Sequence, residues 1–377
     1  QLNQLFIQAC EAHGIPRNPD FNGAEQYGCG EYQVTHINGE RCSAAKAFLT
    51  PNLDRPNLEV MTHAHVEKVL LEGKRATGVR IKQGGETREI KASREVILSG
   101  GAFNSPQILM LSGIGPGAHL QQKGIDTVHD LPGVGENLQD HIDVVHSYKM
   151  ASSSDTFGVS LPFVARFAKA IVEWRNRRSG LVTSPYAEAG AFFCSEPDVE
   201  LPDLQMITVR ALVDDHGRKM HMGHGFSCHT TLLRPKARGT VRLANADSLA
   251  DPEIDPQFLN NDEDIEIFKK GARKQIEVLE SEAFDAWRGK MLYPVDPNDD
   301  AALEEDIRNR ADTQYHPVGS CKMGKDDMAV VDASLRVHGM EGLRVVDGSI
   351  MPTLCGGNTN APIIMIAEKA ADMIKAG

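Results

Sequence analysis

Apolar residues recur every three to four positions in LNQLFIQACEAHGI at the start of the chain, and the run stops at Gly14. That spacing predicts an amphipathic helix. RNPDFNGAEQYGCGEYQVTHINGER is rich in Gly and Asn and predicts loops and short hairpins. LEVMTHAHVEKVLLEGKRATGVRIK alternates in places around an EGK turn, the pattern of a β-meander. REVILSGGAFNSPQILMLSGIG then runs from a compact apolar strand through Gly100 and Gly101 to a helix. Ser105 suits its N-cap and Pro106 its first position. Strand, glycine turn, helix is the local grammar of a nucleotide-binding α/β sheet, and equally of an ordinary βα unit.

From about Asp143 to Thr313 the pattern changes. Alternating runs (LQMITVRALV, GFSCHTTLL, GTVRLA) stand among helical ones (FVARFAKAIVEWRNR, DEDIEIFKKGARKQIEVLES) without strict interleaving. This predicts an α+β domain with an antiparallel sheet. GLRVVDGSIMP returns to a short buried strand. NAPIIMIAEKAADMI predicts a closing helix, capped by Asn360 with Pro362 in the first turn.

Composition narrows the function. Of 377 residues, 41% are hydrophobic, enough for a sizeable core and, by length, roughly two domains. The net charge of −12 gives no basic footprint for nucleic acid and no attraction to an anionic membrane. No apolar run reaches the length of a membrane span, and Glu368, Lys369 and Asp372 interrupt the most apolar helix. The seven cysteines include no CxxC pair, which argues against zinc and for free thiols in a reducing cytosol. A dinucleotide-binding fingerprint GxGxxG is missing; SGIGPG and LPGVGENL lack its spacing and context. The first residue is Gln1, so the expectation is that a first βαβ unit lies outside this chain.

Several residues carry candidate chemistry. His316 sits in QYHPVGSCKMG, with Pro317 behind it, either a satisfied buried histidine or a general base. Asn358 in GGNTNAP reads as a turn residue on its own. Asp140 and His141 in LQDH are not expected to pair, because neighbours in a strand face opposite ways. Glu188 in SPYAEAGAFF fits a pocket wall or a sheet edge, and nothing marks Cys321 as a nucleophile.

Taken together, NGERCSAAKAFL, PNLEVMTHAHV, REVILSGGAFNSPQILMLSGIGPGAHL, LPGVGENLQDH, LRPKARGTVRL, YHPVGSCKMG and LRVVDGSIMPTLCGGNTNAPIIMIAEKAADMI resemble the glucose–methanol–choline (GMC) family of flavin oxidoreductases. The ordered set runs from near residue 20 to the C-terminus. The resemblance implies that the chain corresponds to the C-terminal two-thirds of the full enzyme, without the N-terminal FAD-binding βαβ unit. The implied fold is α/β plus α+β. Residues 1–140 would be part of a Rossmann-like FAD-binding domain with lid and loop segments. Residues 141–313 would form an antiparallel-sheet substrate-binding domain, and 314–377 the catalytic loop and the return to the FAD-binding domain.

The family oxidises alcohols by passing a hydride to flavin N5. By similarity, His316 is the base and Asn358, where the family carries His or Asn, a donor to the substrate oxygen. Asn360 and Ala361 would offer backbone amides to the flavin, with Asp347 and Gly348 near its ribityl chain. Val66 would meet the adenine, and Gly101 belongs to the cofactor-binding turn. The tail and CHTTLLRPKARG look most like bacterial alcohol or choline dehydrogenases of the family. Choline needs aromatic faces and a carboxylate, and Tyr186 with Glu188 is the one close pairing of that kind. The expected reaction is therefore oxidation of an aliphatic primary alcohol, with choline oxidation as the alternative. A flavin-containing hydroxynitrile lyase and an inactive binding fragment stand as further alternatives. The implied acceptor is a quinone or another electron acceptor, and the implied location cytoplasmic or peripheral at the inner membrane.

Overall fold

A computed structural model describes residues 1–150 and 156–376. Segment 151–155, inside the expected substrate-binding span, and residue 377 lie outside the described residues. The helices are α1 (Leu2–Ala12), α2 (Gly101–Leu111), α3 (Gly117–Gln122), α4 (Leu161–Arg177), α5 (Asp262–Leu279), α6 (Asp300–Arg310) and α7 (Asn360–Ala376). The chain divides into two compact units. One comprises Gln1–Asn52, Ile142–Arg234 and Asp262–Gln314; the other comprises Leu53–His141, Pro235–Asn261 and Tyr315–Gly377.

The first unit is built on a seven-stranded antiparallel sheet. Its order is Gly28–Glu31, Ala187–Phe193, Leu204–Val209, Gly223–Leu232, Ile142–Met150 and Asp312–Thr313, with Gly158–Val159 also on Gly223–Leu232. This is the antiparallel sheet that the alternating runs predict. Ile265, Phe268, Ala272, Ile276 and Leu279 form the buried stripe of α5 at helical spacing. The sheet buries polar side chains too, and His146 and Gln275 beside it are matched. His146 contacts Gln275 Oε1 through Nδ1 at 2.5 Å and Asp306 Oδ2 through Nε2 at 3.2 Å. Gln275 Nε2 in turn donates to the Cys228 carbonyl. Buried polar groups need such partners, because a lone one costs several kcal/mol, roughly 1–3 by mutation.

The second unit holds the meander, strands His65–Glu72, Arg75–Gln83 and Glu86–Lys91, and a parallel pair, Val96–Leu98 beside Leu343–Val345. Leu98, Leu109, Met110, Ile114, Val134, Val331, Leu343 and Val345 share one buried cluster. The parallel pair and α2 give the α/β grammar expected of REVILSGGAFNSPQILMLSGIG.

Three local expectations differ. GTVRLA does not join the large sheet: Thr240–Arg242 pairs with Glu253–Asp255, and Val241 N–H donates to the Gly135 carbonyl at 2.7 Å. Helix α7 starts at Asn360 rather than after it, and Ile363 N–H donates to the Thr359 carbonyl at 3.0 Å, which puts Thr359 at the cap. Helix α2 begins at Gly101, so Ser105 and Pro106 lie within it. A proline there leaves the carbonyl four residues back, that of Ala102, without its helical donor. Ser320 Oγ supplies the missing hydrogen bond at 2.5 Å. Ser105 Oγ accepts from Gly100 N–H at 2.9 Å and donates to Asp347 Oδ2 at 2.6 Å.

Candidate active site

The segment Asn137–His141 organises the second unit's candidate site. Gln139 forms a two-way backbone bridge with Val318, at 3.0 and 2.8 Å. Its side chain donates to the Pro352 carbonyl at 3.2 Å and accepts from Leu354 N–H at 3.2 Å. Asn137 Nδ2 donates to the carbonyls of Gly319 and Pro352, both at 3.2 Å. One short stretch therefore clamps the loop that carries His316 and the loop that leads to Asn358. Gly319 allows the closest approach. Its φ is +93°, and a Cβ there would stand 2.5 Å from the Asn137 carbonyl oxygen.

His316 is held at both its backbone and its ring. Its N–H donates to Asp140 Oδ1 at 2.8 Å. Its Nδ1 lies 3.0 Å from Nδ1 of His141, with the two rings nearly perpendicular. His141 is wholly buried, and its Nε2 lies 3.1 Å from the Cys355 carbonyl oxygen. On the other side of His316, Nε2 lies 3.4 Å from Asn358 Nδ2. Asn358 is exposed. The residue before His316, Tyr315, adopts φ +64°, uncommon for a non-glycine.

The sequence reading set Asp140 and His141 aside as a pair. Neither lies in a strand, and both converge on His316, Asp140 at its backbone N–H and His141 at its ring. The signal was in LQDH, but its partner lies 175 residues away. Cys321 is fully buried, and burial pushes its thiol well above the usual range. It is thereby kept protonated and is no nucleophile.

A second group of expected residues gathers at the carboxyl ends of the parallel pair. Leu98 and Val345 are in register, and their strands lead directly into Gly100–Gly101 and Asp347–Gly348. Gly101 N–H donates to Asp347 Oδ2 at 2.9 Å, and Asp347 Oδ1 accepts from Ser349 N–H at 2.8 Å. A Cβ placed on Gly348 would touch Ile363 Cδ1 at 3.1 Å, so the first turn of α7, with Asn360 and Ala361, packs against this point. Val66 lies instead on the meander, in register with Ile81 beside a bulge.

The sequence profiles of one family, described as GMC oxidoreductase, match residues 1–143 and 235–367. The chain is 44% identical to an alcohol dehydrogenase [acceptor] of Pseudomonas putida over 99% of its own length and 68% of the relative's. The chain belongs to the GMC oxidoreductase family. It is also 40% identical to oxygen-dependent choline dehydrogenase 1 of Chromohalobacter salexigens, over 100% of this chain and 67% of that one. Among solved structures, pyridoxine 4-oxidase from Mesorbium loti superposes with a TM-score of 0.87 at 29% identity, and a formate oxidase with 0.91 at 27%; both cover 100% of this chain, which spans 70% of theirs.

A GMC oxidoreductase implies FAD, and the strand ends described above suit such a group. In open α/β sheets ligands lie beyond the carboxyl ends of the strands. Among the described residues, no atom beyond its chain neighbours and its own helix's backbone lies within 4 Å of where a Cβ of Gly101 would stand, so a ligand can approach its backbone. The N-terminus of α7 adds partial positive charge beside Gly348, which suits an anionic or electron-rich ring. The oxygens of Asp347 are occupied in holding Gly101, Ser105 and Ser349. Its side chain shapes this corner.

Proposed function

We propose that this GMC oxidoreductase chain oxidises an aliphatic primary alcohol to an aldehyde, with FAD as cofactor and His316 as base. The carrying observation is the approach of His316 Nε2 and Asn358 Nδ2 to 3.4 Å on two loops clamped by Asn137 and Gln139. FAD, when bound, would supply the hydride acceptor for the alcohol carbon. The chain's own residues handle the proton and the charge. His316 Nε2 takes the hydroxyl proton, and an imidazole suits this because its ordinary pKa is near neutral. The amide of Asn358 donates to the substrate oxygen as negative charge develops there. Backbone amides of Asn360 and Ala361 would hold the cofactor's negative edge, and Gly101 and Gly348 would let its chain approach. Asp347 contributes by fixing that backbone, and Val66 would meet the adenine through its main chain. The antiparallel-sheet unit is the substrate-binding part of the chain in this reading.

Choline is the second reading, favoured by the name of the Chromohalobacter salexigens relative. The carboxylate suited to it is already engaged. Glu188 Oε2 accepts from Asn3 Nδ2 at 2.9 Å, and Oε1 lies 3.5 Å from the guanidinium of Arg210. Arg210 also lies over the Phe157 ring, which packs on Tyr186 at 4.3 Å between centroids. A cation already engages Glu188, the acidic partner that a quaternary ammonium would need. This supports a neutral substrate.

Electrons leave to a quinone or other acceptor in this reading, at a cytoplasmic or peripheral inner-membrane location. No helix among the described residues is long and apolar enough to cross a membrane. The deciding experiment is anaerobic addition of a primary alcohol or of choline to the purified protein, watched in the visible flavin band. Bleaching by the alcohol at lower concentration than by choline supports the proposal. Bleaching by choline alone makes it a choline dehydrogenase, and cyanide release from a cyanohydrin without bleaching makes it a lyase.

A further inference from the structure

We propose that the outward face of α4, together with Met220 and Met222, is a docking surface for a bilayer rich in anionic lipid. The inference deepens the peripheral location given above and rests on that reading for its purpose. The binding itself is argued from the surface alone.

Helix α4 is apolar on two faces. Phe163, Phe167, Ala170 and Trp174 recur at helical spacing and turn inward. Phe163 packs on Phe157 and on His224, with centroids 5.9 Å apart in each case, and Trp174 Nε1 donates to the Gly39 carbonyl at 2.7 Å. Leu161, Val164, Ala165, Ala168 and Val172 recur at the same spacing on the opposite side, with Ile171 at the edge, and all are exposed. Of the 17 residues of the helix, Ala170 alone is buried. A helix apolar this far round is normally enclosed. Leu161 is instead 87% exposed.

The loop before strand Gly223–Leu232 enlarges this surface. Gly158 and Val159, just before α4, pair with His224 and Gly223, which brings Met222 alongside the start of the helix. Met220 and Met222 are 80% and 75% exposed. Their loop is braced in this position. Asp215 and His216 run at φ +48° and +52°, a strained course that persists only where the surroundings impose it. Asp214 accepts from His221 Nε2 at 2.6 Å and from the Tyr293 hydroxyl at 2.8 Å, and Arg218 donates to Asp312 at 2.7 Å.

Charge selects the partner. The whole chain carries −12, but α4 and the residue after it hold Arg166, Lys169, Arg175, Arg177 and Arg178 against one acidic residue, Glu173. Lys169, Arg175 and Arg177 are exposed and form no ion pair among the described residues. Lys169 flanks the apolar stripe and Arg175 continues it by one turn. Cations beside an exposed apolar stripe suit anionic headgroups, with the aliphatic side chains reaching the acyl boundary. The charges keep α4 along the surface rather than across the bilayer. A second copy of the chain fits less well, because a twofold contact would set this basic face against itself.

The test is co-sedimentation of the intact purified protein with vesicles of mixed phosphatidylglycerol and phosphatidylcholine, against vesicles of phosphatidylcholine alone. The expected result is binding to the anionic vesicles that weakens as salt is raised. Leu161→Ser with Met222→Ser is expected to weaken it by roughly 10-fold or more. Lys169→Gln with Arg175→Gln is expected to weaken it by about 30-fold. All four side chains are exposed, so both variants should keep the wild-type melting temperature and turnover of a short, water-soluble alcohol. No binding to anionic vesicles overturns the proposal, and so does binding that neither variant changes. Self-association of the wild-type protein that Leu161→Ser with Met222→Ser abolishes would assign the face to a second copy. A fall in the melting temperature of that variant would show that the chain covers the face itself. Either result overturns the proposal. Vesicle binding is read without turnover, so a protein that binds but oxidises no alcohol sinks the functional reading and leaves the surface standing, and the reverse result does the opposite.

Discussion

The backbone N–H of His316 donates to Asp140 Oδ1 at 2.8 Å, so a buried carboxylate holds the main chain of the residue whose ring carries the candidate chemistry. The bond crosses 176 residues of sequence. Hydrogen bonds to charged groups are worth roughly 1.5–3 kcal/mol, and leaving a buried donor unmatched costs about as much. Asp140→Ala is expected to lower stability by about 2 kcal/mol and kcat by at least 10-fold. Asp140→Asn, which keeps Oδ1, should recover most of both. Thermal melts and steady-state kinetics on the two variants check this. Equal damage from Asn and Ala would mean that the charge matters and the acceptor does not.

Asn358 is exposed and lies beside His316 Nε2, so its removal should affect chemistry far more than folding. Asn358→Ala is expected to leave stability within about 0.5 kcal/mol. It should lower kcat by about 100-fold, the typical loss of one donor to a developing oxyanion, with little change in KM. Asn358→His, the family's other residue here, should retain substantial activity. A rise in KM with kcat preserved would instead assign Asn358 to uniform substrate binding.

Much of this arrangement was legible in the sequence, and the exceptions share a cause. The helical stripe of α1, the meander around Gly73 and the strand before Gly100 follow from local period and turn chemistry, which a single sequence displays. His316 and Asn358 were legible through motifs read as a resemblance. Asp140 and His141 were not: strand alternation predicts that they face apart, whereas neither lies in a strand and both reach His316. What each faces is set by a loop more than 170 residues away. Ser105 and Pro106 read as a helix start for good local reasons. The tertiary partners Asp347 and Ser320 supply what the local rules assumed was missing, and so the helix begins at Gly101.

The Ser320–Pro106 relationship gives a double-mutant test. Ser320 Oγ donates to the Ala102 carbonyl that Pro106 cannot serve. Ser320→Ala alone is expected to cost about 1–3 kcal/mol, the penalty for an unmatched buried acceptor. In a Pro106→Ala background the helical N–H at 106 serves the same carbonyl, and the cost of Ser320→Ala should fall below about 0.5 kcal/mol. Urea unfolding of the four proteins measures the coupling. Additive costs would show that Ser320 acts through something other than this carbonyl.

Asp306 sets an acid limit on stability. Burial alone would raise its pKa, but hydrogen bonds from His146 and Arg310, with the positive charge of Arg310, outweigh burial and hold it at about 2. Arg310 Nε and Nη2 each reach the carboxylate at 2.7 Å, and His146 Nε2 at 3.2 Å. The unfolded chain would bind this proton near pH 3.9. Between those values the unfolded state holds more protons than the folded one, so stability rises with pH across that window. The contribution, about 2–3 kcal/mol, is complete above pH ~4 and is lost as pH falls toward 2. Asp306→Asn is expected to destabilise the protein at neutral pH and to flatten the acid limb of its stability profile. Urea midpoints measured from pH 2 to 7 check both. A variant whose acid limb keeps the wild-type slope would mean that other carboxylates carry the acid sensitivity and that the His146–Asp306–Arg310 group contributes only through its hydrogen bonds.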